Sequence, residues 1–97
     1  MREVIIPNAL WIKIEEIRYY LIFYLKLSEM EAEARINRME DFVAGLGNPV
    51  DYSLCRFRRW RALGYRCAIF EGWVFAYEIF DGGVIVRDMA HGATLKE

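Results

Sequence analysis

The chain has 97 residues and a formal net charge of −1, and 56% of its residues are hydrophobic and 15% aromatic. This length predicts a single domain over residues 1–97, and the apolar content excludes a disordered chain. The longest apolar run, 19–25, is far shorter than the roughly 20 residues that span a bilayer. No signal peptide is visible at the N-terminus. We therefore expect a cytoplasmic protein with no membrane partner.

The N-terminal quarter has the pattern of a short strand followed by a helix. Residues 3–6 are rich in β-branched side chains and end at Pro7, after which Asn8 can cap the first helical turn. Apolar residues then recur at spacings of three and four to about Lys26, which is the period of one helical face. The spacing predicts that this face buries Leu10, Ile14, Ile17, Leu21 and Tyr24.

A second helix is predicted from Ser28 to about Gly45. Ser28 and Glu31 form a capping box, in which the serine caps the helix and the glutamate reaches back to it. Glycines and Asn48-Pro49 end the helix. Its predicted inner face consists of Ala32, Ile36, Met39, Val43 and Leu46. Because so short a turn joins the two helices, we expect them to pack antiparallel.

The second half of the chain has the pattern of strands. Glu71-Gly72 and Asp81-Gly82 are tight-turn signals, the second being the strongest hairpin signal in the chain. The predicted strands are 57–62, 65–70, 73–80 and 84–90. This order predicts an α+β fold, in which a short N-terminal strand and an antiparallel helical hairpin pack on one face of a mainly antiparallel sheet of three to five strands.

Charge is unevenly distributed along the chain. Residues 29–41 are rich in acids, whereas 56–66 hold five arginines and no acid. On a strand, residues two apart share a face, so Arg59 and Arg61 would point together, and Arg66 could join them across a hairpin. Guanidinium groups suit phosphate because they donate paired hydrogen bonds and stay charged. The alternative is a solvated surface, or one that pairs with the acidic helix.

His91 is the only histidine, and it follows the last predicted strand. A histidine can move protons near neutral pH, but one at a strand end is also commonly structural. Cys55 and Cys67 lack the spacing of a metal site, so we expect two reduced thiols and no metal. The absence of a glycine-rich phosphate loop excludes an NTPase, and we expect no cofactor. Three tryptophans can stack on bases or pack internally: Trp11, Trp60 and Trp73.

Three segments together resemble the RelE/ParE toxin superfamily, also called plasmid stabilisation proteins. Leu63-Gly64-Tyr65-Arg66 is similar to the G-Y-R segment that starts a central strand of the family. Residues 74–86, with Tyr77 and the Asp81-Gly82 turn, resemble its aromatic strand, hairpin and valine-rich strand. Residues 86–93 resemble the closing strand and its H-G-A ending. The match extends over nearly the whole chain, and its order and spacing agree.

The resemblance implies roles for individual residues. In the mRNA interferase branch, Arg66 would be the principal catalytic arginine and His91 the general acid or base of a metal-independent endoribonuclease. The ribose 2′-hydroxyl would attack the adjacent phosphate, with arginines stabilising the transition state. Residues implied to contact the RNA are Arg59, Arg61, Arg58 and Tyr77. Tyr77 has a second interpretation as a core residue, depending on the face of the strand that it occupies.

The resemblance also implies partners. A type II toxin binds a cognate antitoxin, and it acts on ribosome-bound mRNA or, in the ParE branch, on DNA gyrase. The set of Arg59, Arg61 and Arg66 favours mRNA cleavage, with gyrase inhibition as the alternative. The ParE branch shares the strand-end histidine without the nuclease constellation, so His91 does not separate the two branches. We expect a homodimer or a toxin–antitoxin hetero-oligomer. A non-catalytic protein-binding module of the same fold is the remaining alternative.

Overall fold

The computed structural model describes residues 1–95. Strand β1 is short, and two longer helices, α1 and α2, follow it. A short helix α3 then precedes the three strands β2, β3 and β4, and a 3₁₀ turn follows the last strand. The bounds are β1 Val4–Ile5, α1 Asn8–Phe23, α2 Glu29–Ala44, α3 Arg58–Ala62, β2 Arg66–Phe70, β3 Trp73–Phe80 and β4 Gly83–His91.

The four strands form an open mixed sheet in the order β1-β4-β3-β2. Strands β2, β3 and β4 form an antiparallel meander, but β1 pairs with β4 in parallel, with Val4 opposite Val84. The expectation of a mainly antiparallel sheet therefore needs correction. Strands β1 and β4 are far apart in the sequence. Turn signals predict only the pairing of consecutive strands, so they do not reveal this parallel pair.

One face of the sheet carries the helical hairpin. The predicted inner positions of α2 are all buried, together with Leu10, Ile14, Ile17 and Leu21 of α1. They pack against sheet residues that include Phe75, Tyr77 and Val86. The Ser28 hydroxyl accepts a hydrogen bond from the Glu31 amide at 3.1 Å, which confirms the predicted cap.

Tyr24 is the exception on the predicted inner face of α1. Its side chain is 78% exposed rather than buried. Helix α1 ends at Phe23, and Lys26 has a φ of +58°. Tyr24 is the C-cap of the helix, and its amide still donates to the Tyr20 carbonyl at 3.0 Å. Its ring stacks on that of Tyr20 at the surface and does not enter the core.

The opposite face of the sheet is covered by α3 and the chain before it. Residues 57–62, predicted as a strand, instead contain α3, so that prediction is wrong and no hairpin forms at 63–64. Phe57 and Trp60 are three residues apart, a helical spacing, and their rings meet edge to face at 5.9 Å. They pack with Val74 and Ala76 in a second core. Burial of these two large rings favours a helical turn over the strand.

A disulfide links Cys55 to Cys67. Leu54 bridges to Arg66 of β2, and the Cys55 amide donates to the Tyr65 carbonyl at 2.9 Å. The segment that contains α3 therefore begins and ends at neighbouring points beside β2. This arrangement brings the two cysteines, twelve residues apart in sequence, into contact. The prediction of two reduced thiols is wrong, because their distance in sequence does not reveal this pairing.

Both predicted tight turns are present. Residues at each turn have positive φ: Glu71 (+48°), Gly72 (+85°), Asp81 (+51°) and Gly82 (+76°). A register shift between Ala76 and Tyr77 leaves Arg87 as an extra residue on β4.

Within residues 1–95, no helix is long and apolar enough to cross a membrane.

Candidate functional site

Arg66, the predicted catalytic arginine, begins β2 and is half-buried. Its Nη1 donates to the Tyr52 carbonyl at 2.7 Å. Arg66 also helps to lower the pKa of Asp51, behind the larger effect of Arg2. The guanidinium is therefore directed at the 51–52 loop and ties that loop to the sheet.

Tyr77 lies opposite Arg66 on β3 and is only 1% exposed. Its hydroxyl accepts a hydrogen bond from the Tyr52 amide at 2.9 Å. Burial raises the pKa of the phenol above its ordinary value. Of the two interpretations left open by the sequence, the structure selects the core residue, because the buried ring offers no face on which a base could stack.

Arg2 completes this arrangement and was not singled out by the sequence. Its Nη2 donates to Asp51 at 2.6 Å and to the Asn48 carbonyl at 2.8 Å. The hydrogen bond from Arg2 lowers the pKa of Asp51. Arg2, Asp51, Tyr52, Arg66 and Tyr77 therefore form one network, which we call the loop anchor. These bonds tie the 51–52 loop to the sheet, and within residues 1–95 the Arg66 guanidinium uses one of its five N–H donors for this purpose.

His91 ends β4 at the other end of the sheet. Its ring meets Trp73 edge to face at 5.1 Å. Its Nδ1 accepts a hydrogen bond from the Ala93 amide at 3.3 Å, so the neutral imidazole carries its proton on Nε2. A Cβ at Gly72 would lie 3.2 Å from that Nε2, so a glycine at this position leaves room for the ring.

The His91 side chain is exposed and lines a cleft of about 640 Å³ between α1 and the sheet. Trp73, Tyr20 and Leu25 provide apolar walls. The charged residues that also line the cleft are Lys13, Glu16, Arg35 and Glu71. Among the described residues, no acid or base is hydrogen-bonded to the imidazole. The histidine can exchange a proton with a ligand in the cleft, but no second side chain orients it for that purpose.

The structure does not bring Arg66 and His91 together. Arg66 pairs across the sheet with Tyr77, whereas His91 pairs with Trp73, which lies opposite Phe70 at the far end of β2. Four residues along a strand and two strand spacings across the sheet amount to about 13 Å and about 10 Å, respectively. Acting on a single phosphate would require both groups within hydrogen-bond reach of it.

Arg58, Arg59 and Arg61 lie on α3, beyond the second core, and are exposed. Arg59 and Arg61 do not share a face as predicted, because residues two apart in a helix point about 200° apart around its axis. Within residues 1–95, none of these three arginines has a hydrogen bond or ion pair. Buried Trp60 fixes the helix, so α3 is a small, firmly held cationic surface.

Helix α1 exposes several aromatic side chains, which the sequence pattern did not predict. Tyr19, Tyr20 and Phe23 are 62%, 47% and 59% exposed, although they belong to the longest apolar run of the chain. The spacing of residues could have predicted this exposed surface. Ile12, Glu16, Tyr19 and Phe23 recur at the same intervals as the buried residues of α1, but on the opposite face of the helix. Trp11 is exposed, Trp60 is buried and Trp73 is half-buried.

The comparisons with known proteins add no relative: no protein-family model, curated protein or solved structure matches the chain. Among residues 1–95, no group of three histidine, cysteine or acidic side chains is arranged to hold a metal ion.

Proposed function

We propose that this protein is the toxin of a type II toxin–antitoxin pair, and that it inhibits DNA gyrase by binding, as in the ParE branch, rather than by cutting mRNA. The class comes from the sequence resemblance of the segments around Arg66, Tyr77 and His91. The choice between branches comes from the geometry of those residues. The target would place the protein in the cytoplasm.

The observation that carries this choice is the separation of Arg66 from His91. RNA cleavage needs a cation at the phosphate and a proton donor or acceptor at an adjacent oxygen, in one site. Here the Arg66 guanidinium is bonded to the 51–52 loop, and His91 packs on Trp73 at the other end of the sheet. Tyr77 is in the core. These positions favour a protein that acts through its surface.

The disulfide bears on the proposed location. A cytoplasmic environment keeps most protein thiols reduced. The proposed toxin nevertheless carries the Cys55–Cys67 disulfide, which makes it an exception among cytoplasmic proteins. The Leu54–Arg66 bridge and the amide hydrogen bonds around it hold the two cysteines near each other.

mRNA cleavage remains the second candidate, because Arg58, Arg59 and Arg61 of α3 have no acidic partner among residues 1–95. Exposed arginines that no carboxylate neutralises attract a polyanion and release its counterions on binding. In this alternative the RNA would lie along α3, and Arg66 would have to exchange the Tyr52 carbonyl for a phosphate.

A pulse of induced expression in bacteria separates these functions. Growth, mRNA integrity and plasmid supercoiling are followed in the same culture. The proposal predicts growth arrest with intact mRNA and altered supercoiling. Arrest with mRNA cut within codons would establish the nuclease instead, and normal growth would remove the toxin function and leave a binding module.

Charge variants sharpen the test. Under the gyrase proposal, Arg59→Ala combined with Arg61→Ala retains mRNA integrity as wild type does, because no RNA is cut. Under the nuclease alternative, the double variant loses cleavage of mRNA while the fold persists. Arg35→Ala is a matched control, since Arg35 is also exposed and lacks an ion pair within residues 1–95.

A further inference from the structure

The Cys55–Cys67 disulfide joins the two ends of the segment that carries α3. The Cys55 amide donates to the Tyr65 carbonyl at 2.9 Å, and the Cys67 amide donates to the Ser53 carbonyl at 3.2 Å. Since the chain has two cysteines, the disulfide is the single covalent link across this loop. Breaking it leaves the ends of the segment held by hydrogen bonds and packing alone.

Packing holds this segment less extensively than it holds the helical hairpin. Among residues 1–95, the core under the hairpin contains fifteen buried residues, whereas the second core contains five, one of which is Cys55 itself. The large side chains that α3 and its N-cap bury there are Phe57 and Trp60. Helix α3 has five residues, far fewer than a helix needs to be stable by itself. Its position therefore depends on the disulfide as well as on these two rings.

The two cysteines are not equally accessible. Cys55 is 1% exposed, whereas Cys67 is half-buried, so a thiol from solvent approaches the bond on the side of Cys67. Arg56 and Arg66 are the sequence neighbours of the two cysteines, and no acidic residue occurs in 52–70. A positive potential attracts an incoming thiolate, and reactive cysteines are found in partly exposed, electropositive positions of this kind.

We propose that the Cys55–Cys67 disulfide is a redox switch, which fixes α3 on the sheet when oxidised and lets the 56–66 segment open when a dithiol reductant of the cytoplasm reduces it. One thiolate of the dithiol attacks the Cys67 sulfur, the S–S bond breaks, and Cys55 leaves as a thiolate that takes up a proton. The second thiol of the reductant then attacks the mixed disulfide and releases Cys67. Two electrons and two protons pass to the protein, and the dithiol becomes a disulfide.

The proposed location favours a switch over a permanent structural bond. Disulfides of cytoplasmic proteins are mostly transient bonds with catalytic or redox-sensing roles, whereas permanent ones belong to oxidising compartments. In this respect the inference rests on the proposed function, because the toxin would act in the cytoplasm. The segment between the cysteines carries the exposed arginines of α3. The redox state would therefore decide whether these charges occupy a fixed surface or a segment that opens.

Thiol trapping tests whether the bond responds in the range of the cytoplasm. The purified full chain is equilibrated with reduced and oxidised glutathione at the cytoplasmic poise, and its free thiols are alkylated and counted by mass spectrometry. We expect both forms at this poise, each at about one tenth of the protein or more. Protein that stays fully oxidised would overturn the proposal, because structural disulfides resist reduction by glutathione. Protein that is fully reduced would overturn it as well.

Limited digestion with trypsin tests whether the bond controls α3. Trypsin cuts after arginine, and arginines lie both on α3 and, at Arg35, on α2. After reduction with dithiothreitol we expect cleavage within α3 to become at least about tenfold faster, because cleavage follows the population of the open segment. Cleavage after Arg35 should keep its rate, and it reports global unfolding in the same digest. Equal rates of cleavage within α3 in oxidised and reduced protein would overturn the switch.

A double variant provides the control for the reductant. Cys55→Ser combined with Cys67→Ser should be cut within α3 at the fast rate, with or without dithiothreitol. A response of this variant to dithiothreitol would mean that the reductant acts elsewhere and would overturn the assignment to the disulfide. All of these measurements use the protein alone. Their failure is therefore distinct from a failure to inhibit gyrase, which would leave the redox response of the purified chain unchanged.

Discussion

Tyr77 holds the 51–52 loop through one buried hydroxyl. Tyr77→Phe removes the acceptor of the Tyr52 amide at 2.9 Å and leaves that amide without its partner. We expect a loss of about 1–2 kcal/mol in the free energy of unfolding, measured by urea denaturation. Tyr19→Phe is the control, because that hydroxyl is at the surface. Equal stabilities of the two variants would mean that the loop is held without Tyr77.

The same phenol sets the alkaline limit of stability at this site. Burial raises the pKa of Tyr77 in the folded state above its unfolded value. Its contribution is therefore complete below a pH of about 10, the unfolded value, and is lost as the pH rises through the folded value. Urea midpoints between pH 8 and 11 should fall less steeply in Tyr77→Phe than in wild type. Parallel curves would contradict this assignment.

Asp51 makes the free energy of unfolding depend on pH in the acid range. The hydrogen bond from Arg2 lowers the pKa of Asp51 in the folded state. The contribution of the pair is present above the unfolded value of about 3.9 and is lost as the pH falls through the lower folded value. Asp51→Asn should be less stable than wild type at pH 7, with the difference narrowing below pH 4 in thermal unfolding. Asp41→Asn, at an exposed site on α2, should show no such convergence.

At the scale of elements, the helix cap was readable from sequence because its parts are close along the chain. The Ser28 hydroxyl accepts from the Glu31 amide, three residues on. Ser28→Ala should lower the free energy of unfolding by about 1 kcal/mol. Ser53→Ala, at an exposed position before α3, serves as the control. A loss of the same size in both variants would contradict a specific capping role.

The sequence pattern predicted neither helix α3 nor the disulfide. Residues 57–62 were predicted as a strand although Phe57 and Trp60 have the three-residue spacing of a helix. The two rings bury together against Val74 and Ala76. That contact depends on β3, which is distant in sequence. The Cys55–Cys67 pairing likewise follows from the return of the chain after α3. Both features depend on contacts between segments that are not neighbours in sequence.

The disulfide should stabilise the folded position of the segment between Cys55 and Cys67, which contains α3. Closing a loop of this length restricts the unfolded chain and is worth about 3 kcal/mol in the loop-entropy description. Oxidised wild type should therefore exceed Cys55→Ser combined with Cys67→Ser by about 2–4 kcal/mol in urea denaturation. Reduced wild type should approach the double variant. Identical stability of oxidised and reduced protein would mean that the bond contributes nothing.

For the whole molecule, the strand–helix–helix–strand order and both tight turns were predicted from local patterns. The parallel edge strand was not, because Val4 and Val84 are at opposite ends of the chain. At the candidate site, too, the sequence predicted individual residues but not their arrangement in space. Arg66 and His91 were identifiable as residues, but their separation became visible only with the register of β2, β3 and β4.

The most direct test of the central claim uses purified protein in two reactions side by side. One reaction measures supercoiling by DNA gyrase, and the other measures cleavage of mRNA on programmed ribosomes. The account predicts inhibition of gyrase, with the mRNA intact at the same protein concentration. Cleavage of the mRNA with gyrase unaffected would contradict it, and would mean that Arg66 leaves the Tyr52 carbonyl to act on RNA.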